Sequence, residues 1–450
     1  MNTLGEILIS EPVLEDQKLT SKITVSKDLT NFVKQKQLNI EYQVDIHADK
    51  SILNIPITAS ILPLAWLTGS NIRVGRLDRS FWESMNQLKH VFKEMFPLAP
   101  FTTKILAEEL VNNQVKVLEG ESGTGLFFSG GVDSMYSLIN NIQQKPRLVM
   151  IWGIDNFPFP EHSKHWKKTI SIYKDFAEKK KLVFDLIKTN VSQILDYRRI
   201  EHSYHKELFD GSFREALQHS LLFIPLVAPL SIGRFNRVIV AASFTPAFDF
   251  SLWPRAAVPK IDEKIIWADL ETIHDGYISR KEKIERISEY HKNDDLVLRV
   301  CLRSDVVDGK INDSTCEKCL RTIASLLLVG IDPNECGFSV DKTLFKKIRF
   351  YWENKKTARY GSWFEIQSLI PEKIDIDIHG SRDFFEWFRD FNFSTTEKNW
   401  FFTDLYTGVP FRIAQLLDKV YYKLDINVHE GPYNRNARVM FYDDLDVLHP

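Results

Sequence analysis

The stretch Leu126-Phe127-Phe128-Ser129-Gly130-Gly131-Val132-Asp133-Ser134 decides how this chain is read. Its three apolar residues form a short buried-strand run. Residues 133–144 then carry Leu138, Ile139 and Ile142 on one helical face, up to a stop before Pro146. The turn between them joins a strand to a helix. Two glycines there let the backbone turn tightly and bring N–H groups close to phosphate oxygens, where a Cβ would clash. The helix start adds the positive end of its dipole and its unpaired N–H groups. Ser129 and Ser134 can donate hydroxyl hydrogen bonds. Asp133 would repel phosphate unless a divalent cation intervened, so it reads as a Mg²⁺ ligand or a contact to its water shell. The loop is not a Walker A element, because it has no Gly-Lys-Ser/Thr ending. The plain alternative is an ordinary connection with Ser and Asp as caps.

Outward from the loop, strands and helices alternate. Arg147 to Trp152, Leu182 to Ile187 and Arg237 to Ala242 read as strands; Trp166 to Lys180 reads as an amphipathic helix, and Glu215 to Leu230 as a helix or pair of helices broken by prolines. This rhythm predicts an α/β fold with a parallel sheet and helices on both faces, its ligands at the carboxyl ends of the strands. Residues 1 to about 75 have strand-like alternation, and residues 81–92 helical spacing, so a β-rich N-terminal domain is expected over 1–100. The nucleotide-binding domain would cover 101–340 and a mostly helical, aromatic-rich region 341–450. At helical spacing those aromatics read as core.

The loop resembles the pyrophosphate loop of the N-type ATP pyrophosphatases, which include GMP synthetase, NAD synthetase, tRNA-lysidine synthetase and 7-cyano-7-deazaguanine synthase. The resemblance implies a HUP-like (adenine nucleotide alpha hydrolase-like) fold. It also implies cleavage of ATP between the α- and β-phosphates, adenylation of a substrate, and displacement of AMP by a nucleophile. On the same ground Gly153, Ile154 and Asp155, after the second strand, would meet adenine and ribose. Thr189-Asn190 and Ala242-Ser243 would lie at neighbouring sheet ends, with Ser243 counted among the nucleotide contacts. Within His274-Asp275-Gly276 a His–Asp pair could order a loop or relay a proton. Arg280 and Lys283, one helical turn apart, could meet phosphate; a solvated helix is the alternative.

All four cysteines, Cys301, Cys316, Cys319 and Cys336, fall in one short stretch, which points to metal or catalysis and away from a disulfide framework. The segment from Asn312 to Thr322 resembles the cysteine signature of the deazaguanine-synthase-like branch, where an upstream cysteine and Cys-x-x-Cys-x-x-Cys hold structural zinc. Here Asp313 stands where the triplet's first cysteine would be, and Ser314 where glycine follows it. Cys301, Asp313, Cys316 and Cys319 could complete four ligands. Cys336 is a second candidate for the fourth, and a site that has lost its metal is the alternative. Lys318 and Arg321 could serve a phosphate cleft or face solvent.

The resemblance covers roughly residues 120–335, so it leaves the flanks free to recruit a substrate or protein partner. Trp253 to Pro259 keeps only Pro259 of the corresponding polar motif, which prevents carrying over a substrate. Relatives of this branch also occur in bacterial anti-phage operons. The expectation is a deazaguanine-synthase-like ligase or amidating enzyme that uses ATP and Mg²⁺ to activate a carboxylate or carbonyl of an unidentified acceptor. A non-catalytic ATP-binding regulatory or assembly subunit and a tRNA-modifying enzyme are the alternatives. A formal charge of -2 over 450 residues disfavours a general nucleic-acid binder. No signal peptide is read at the N-terminus. The apolar stretches 51–69 and 221–232 carry prolines and read as buried segments, so a cytoplasmic protein without membrane partners is expected.

Overall fold

A computed structural model describes residues 5–154, 164–209, 211–246, 254–301, 310–354 and 361–392. They form two compact units. One takes its residues from Met1–Phe248 and Pro254–Ser279, the other from Arg280 onward.

The first unit is built on one mixed sheet. Its strands are β1 (Glu6–Ile9), β2 (Val13–Glu15), β3 (Lys18–Val25), β4 (Gln37–Tyr42), β5 (Asn71–Asp78), β6 (Ile105–Val111), β7 (Gly123–Phe127), β8 (Arg147–Trp152), β9 (Phe184–Thr189), β10 (Phe235–Ala241) and β11 (Glu271–Asp275). The order is β11-β10-β7-β8-β9-β4-β3-β1-β5-β6, with β2 paired to β3. From β11 to β9 all neighbours are parallel. β8 is buried along its whole length, as a strand covered on both faces should be. β4 then joins β9 antiparallel, with Ile40 opposite Thr189. The N-terminal strands and the parallel strands therefore share one ladder, and the sheet has no break at residue 100.

The N-terminal region holds more helix than its strand-like composition predicts. Ile55–Thr68 is a 14-residue helix, and its residues 55–67 are all buried. It lies against β5 and β1 on one side and the 214–231 segment on the other, so every face needs apolar side chains. Arg79–Met95 is the expected amphipathic helix, capped by the buried Asp78 carboxylate, which accepts from the N–H of Phe81 at 2.9 Å. The 214–231 segment is broken as its prolines require: a π-helical turn (214–218), a short helix (219–223), a 3₁₀ turn (224–227) and another short helix (228–231).

The amino end of the parallel sheet is locked by charge. Arg147 opens β8 and grips Asp185 of β9 with Nε at 2.9 Å and Nη2 at 3.0 Å, while its Nη1 reaches Glu121 at 2.6 Å. Burial works against its charge, but the hydrogen bonds and charge of Asp185, aided by Glu121, leave the guanidinium above its ordinary pKa.

In the second unit the helices Arg280–His291, Glu317–Leu328, Lys342–Asn354, Gly361–Ser368 and Arg382–Arg389 predominate. Phe384, Phe385, Phe388 and Trp363 are buried together, with Trp363 edge-on to Phe388 at 5.5 Å. These aromatics are core, as their spacing predicts. The rest of the aromatic-rich tail, 393–450, lies outside the described residues. Among the described residues no helix is long and apolar enough to cross a membrane.

Candidate functional site

The order β9-β8-β7-β10 reverses direction between β7 and β10, because the chain steps outward from β7 through β8 to β9 and returns to pair β10 on the other side of β7. In open parallel sheets, ligands bind in the crevice outside the carboxyl ends at such a reversal. Ser129-Gly130-Gly131 follows β7 after Phe128, Gly153 follows β8, and Ala242-Ser243 follow β10. Asp155, the third member of the Gly153 element, lies outside the described residues.

The loop could approach a ligand with backbone. Gly131 caps the helix Val132–Asn141, and its carbonyl accepts from the N–H of Met135 at 2.9 Å. Gly130 has φ +75°, and a Cβ there would lie 2.0 Å from the Tyr173 hydroxyl oxygen. That hydroxyl donates to the Gly130 carbonyl at 3.2 Å, and the buried Tyr173 ring packs edge-on to Phe128. Ser134 is buried, and its Oγ accepts from the N–H of Ser129 at 3.3 Å and lies 3.2 Å from the Ser129 hydroxyl. Ser129 Oγ in turn accepts from the N–H of Gly131 at 3.3 Å. These long bonds are easily exchanged for anionic oxygens. Asp133 is half-buried in the first helical turn, and Ser243 is exposed.

Gly153 is the tightest point of this sheet end. Its φ is +117°, and a Cβ would lie 1.7 Å from the Thr189 carbonyl oxygen. The Ser192 hydroxyl donates to its carbonyl at 2.6 Å. Thr189 and Asn190 have other employment. Thr189 Oγ1 accepts from the N–H of Val191, while Asn190 accepts from the N–H of Asn39 and donates to Gln35 and the Gln37 carbonyl. Asn190 sews the N-terminal strands onto β9.

The histidine pair differs from the one expected. His274 Nδ1 lies 2.7 Å from Asp262 Oδ2, with both side chains buried, while Asp275 accepts from Asn141 Nδ2 at 3.5 Å. Neighbouring residues on a strand point to opposite faces, so His274 and Asp275 of β11 cannot form the dyad. Arg280 and Lys283 belong to the second unit. Arg280 Nη2 donates to the Thr322 hydroxyl at 2.8 Å, and Lys283 is buried. Arg321 faces Glu317 of its own helix at 3.4 Å.

The second unit gathers the sulfur donors. One ligand atom each from Cys301, Asp313, Cys316 and Cys319 lies within 4.8 Å of the others, and the group could hold a metal such as zinc. Cys336 is buried but outside this group. Hydrogen bonding with the Cys301 and Cys316 sulfurs, reinforced by burial, holds the Cys319 thiol well above its ordinary pKa. Burial, reinforced by the charges of Glu335 and Asp332, pushes Cys336 up to about 12. A bound dication would reverse the first effect by stabilising thiolates. Cys316 caps the helix Glu317–Leu328 and places Cys319 in its first turn.

Sequence reading passed over the residue that joins the two halves of this group. Asn312 is buried, and its Oδ1 accepts from the N–H groups of Val300 at 3.0 Å and Cys301 at 3.2 Å. Its Nδ2 donates to the carbonyls of Leu298 at 2.7 Å and Gly337 at 3.0 Å. An asparagine adjoining Asp313 was the available signal. Ser314 keeps the left-handed turn at φ +58°, and its Oγ accepts from the N–H of Ser339 at 2.8 Å.

Comparison of the chain with models of known families, with curated proteins and with solved structures returns no match.

Proposed function

We propose that the first unit binds Mg²⁺-ATP over Ser129–Ser134 and splits it between the α- and β-phosphates, transferring AMP to a carboxylate or carbonyl oxygen of an acceptor. Supporting this reading above all is the place of the glycine loop, at the reversal of strand order and opening a helix. Main-chain N–H groups of the loop and the hydroxyls of Ser129 and Ser134 would bind phosphate oxygens, and Asp133 would hold the cation. The magnesium ion would neutralise charge on the phosphates. Gly153 lets the chain after β8 lie close enough to β9 to leave room for adenine. A HUP-like sheet and a deazaguanine-synthase-like activation are the fold and chemistry that fit, and the reading stands on first-unit residues alone. The cysteine group of the second unit is assigned a structural zinc.

Calorimetry of the full chain with Mg²⁺-ATP tests binding, and labelled nucleotide tests chemistry. Binding is expected for the wild type and a loss of at least about tenfold for Asp133→Ala, in line with removal of one charge-assisted contact. Pyrophosphate and an adenylated acceptor, from which a nucleophile then displaces AMP, are the expected products once an acceptor is present, rather than ADP and phosphate. Absence of any heat from the wild type refutes the proposal. ATP bound but left intact by every acceptor tried, including tRNA and protein, would favour a regulatory subunit.

A further inference from the structure

Asp313 differs in kind from the three sulfurs it accompanies, and the difference bears on how the metal is held. The inference rests on the metal reading of the cysteine group and adds a property to it. Asp313 Oδ1 accepts from the N–H groups of Thr315 and Cys316, each at 2.9 Å, as an aspartate does in a turn before a helix. Those bonds occupy the lone pairs of Oδ1, so a metal would be taken by Oδ2. They also hold the carboxylate in place by protein contacts. The rest of the frame is likewise held without metal–ligand bonds: Asn312 ties the segment carrying Val300 and Cys301 to Leu298 and Gly337, and Ser314 fixes its left-handed turn through Ser339.

Burial divides the donors as well. Cys301 and Cys319 are buried and Asp313 and Cys316 half-buried, with Asp313 Oδ2 itself among the buried atoms. Thiolate is the softer and stronger donor for zinc, and carboxylate the harder one better suited to exchange. The weakest donor therefore belongs to a frame that protein hydrogen bonds hold without its metal bond.

We propose that Asp313 is a displaceable fourth ligand: the metal is retained by Cys301, Cys316 and Cys319, and an external small ligand such as azide or imidazole can take the carboxylate's place. The site then exchanges its metal faster than one of four thiolates. In the substitution step one Asp313 oxygen–metal bond breaks, one external donor–metal bond forms, and no electron is transferred.

Cobalt(II) substitution and zinc release to a chromophoric chelator test this on the full chain, with Asp313→Cys and Asp313→Asn as the variants. Asparagine keeps an oxygen that accepts from Thr315 and Cys316, so it separates ligation from the turn. Metal analysis comes first: a wild type that takes up no metal overturns the metal reading and this inference together. With metal bound, the wild type should show sulfur-to-cobalt charge transfer of three thiolates and Asp313→Cys that of four. Azide should shift the visible cobalt bands of the wild type and leave Asp313→Cys unchanged. Zinc release should be on the order of tenfold faster from the wild type than from Asp313→Cys, and faster still from Asp313→Asn. Equal release from all three proteins, no response to azide, or a wild-type spectrum of four thiolates overturns the inference while leaving the metal reading intact.

Discussion

The glycine loop after β7 and the cysteine loop before Glu317–Leu328 solve the same geometric problem with different residues. Each turns the chain through a left-handed residue and delivers it to a helix start. In the first, Gly130 stands at φ +75° against the ring of Tyr173. In the second, Ser314 stands at φ +58° and uses its side chain to hold Ser339. What differs is the neighbour. A buried aromatic leaves no room at Gly130, whereas a backbone N–H rewards a hydroxyl at Ser314. Glycine is thus obligatory in one loop and replaceable in the other.

Three substitutions break or sharpen this contrast. The largest effect belongs to Gly130→Ala. The left-handed backbone alone costs a non-glycine residue about 1–3 kcal/mol, and the new methyl must also displace the Tyr173 ring. Destabilisation of about 2–4 kcal/mol is expected in denaturant unfolding, with binding of Mg²⁺-ATP lost in calorimetry. Alanine at wild-type stability would show that Tyr173 yields and would remove the contrast.

Asn312→Ala comes next. It deprives two N–H groups and two carbonyls of their partner, at about 2–4 kcal/mol given roughly 1–3 kcal/mol for an unsatisfied buried group and partial rescue by water. Zinc affinity, measured by competition with a chelator, should fall about 10- to 100-fold because the two donor-bearing segments lose their tie. Unchanged affinity would mean that the metal, rather than Asn312, aligns them.

Ser314→Gly is the smallest. Relief of the left-handed backbone, about 1 kcal/mol, opposes loss of the Ser339 hydrogen bond, about 0.5–1.5 kcal/mol. Thermal unfolding should leave the variant within about 1 kcal/mol of the wild type. A loss of more than twice that would make the serine as indispensable as Gly130.

Much of the first unit was legible because its strands obey a local rule. β8 coincides with the expected Arg147 to Trp152, since a strand covered on both faces reads as an unbroken apolar run. The helix Ile55–Thr68 was not legible as a helix: buried on every side, it has no polar stripe, and Pro56 and Pro63 resemble breaks. β11 hid in Glu271–Asp275, a stretch read only for its His274–Asp275 pair. The partners of His274 and Asn190 were hidden for another reason. Asp262 is twelve residues upstream of His274, and Asn39 about 150 before Asn190, so sequence proximity favoured the wrong groups. The donor group was legible because clustered cysteines have few structural uses, but the asparagine beside it was hidden by its ordinary chemistry.

The rod formed by Ile55–Thr68 has a consequence for how the parallel strands can be handled. Gln218 donates to the Ser60 carbonyl at 2.7 Å, and Tyr42 donates to the Leu226 carbonyl at 2.9 Å. Cutting the chain near residue 100 to isolate the later strands would strip an apolar wall from residues 214–231 and leave β9 with a raw edge. Such a fragment should come out of cells aggregated. The first hundred residues are the floor on which the glycine loop is set, and any shortened version meant to retain the loop must retain them.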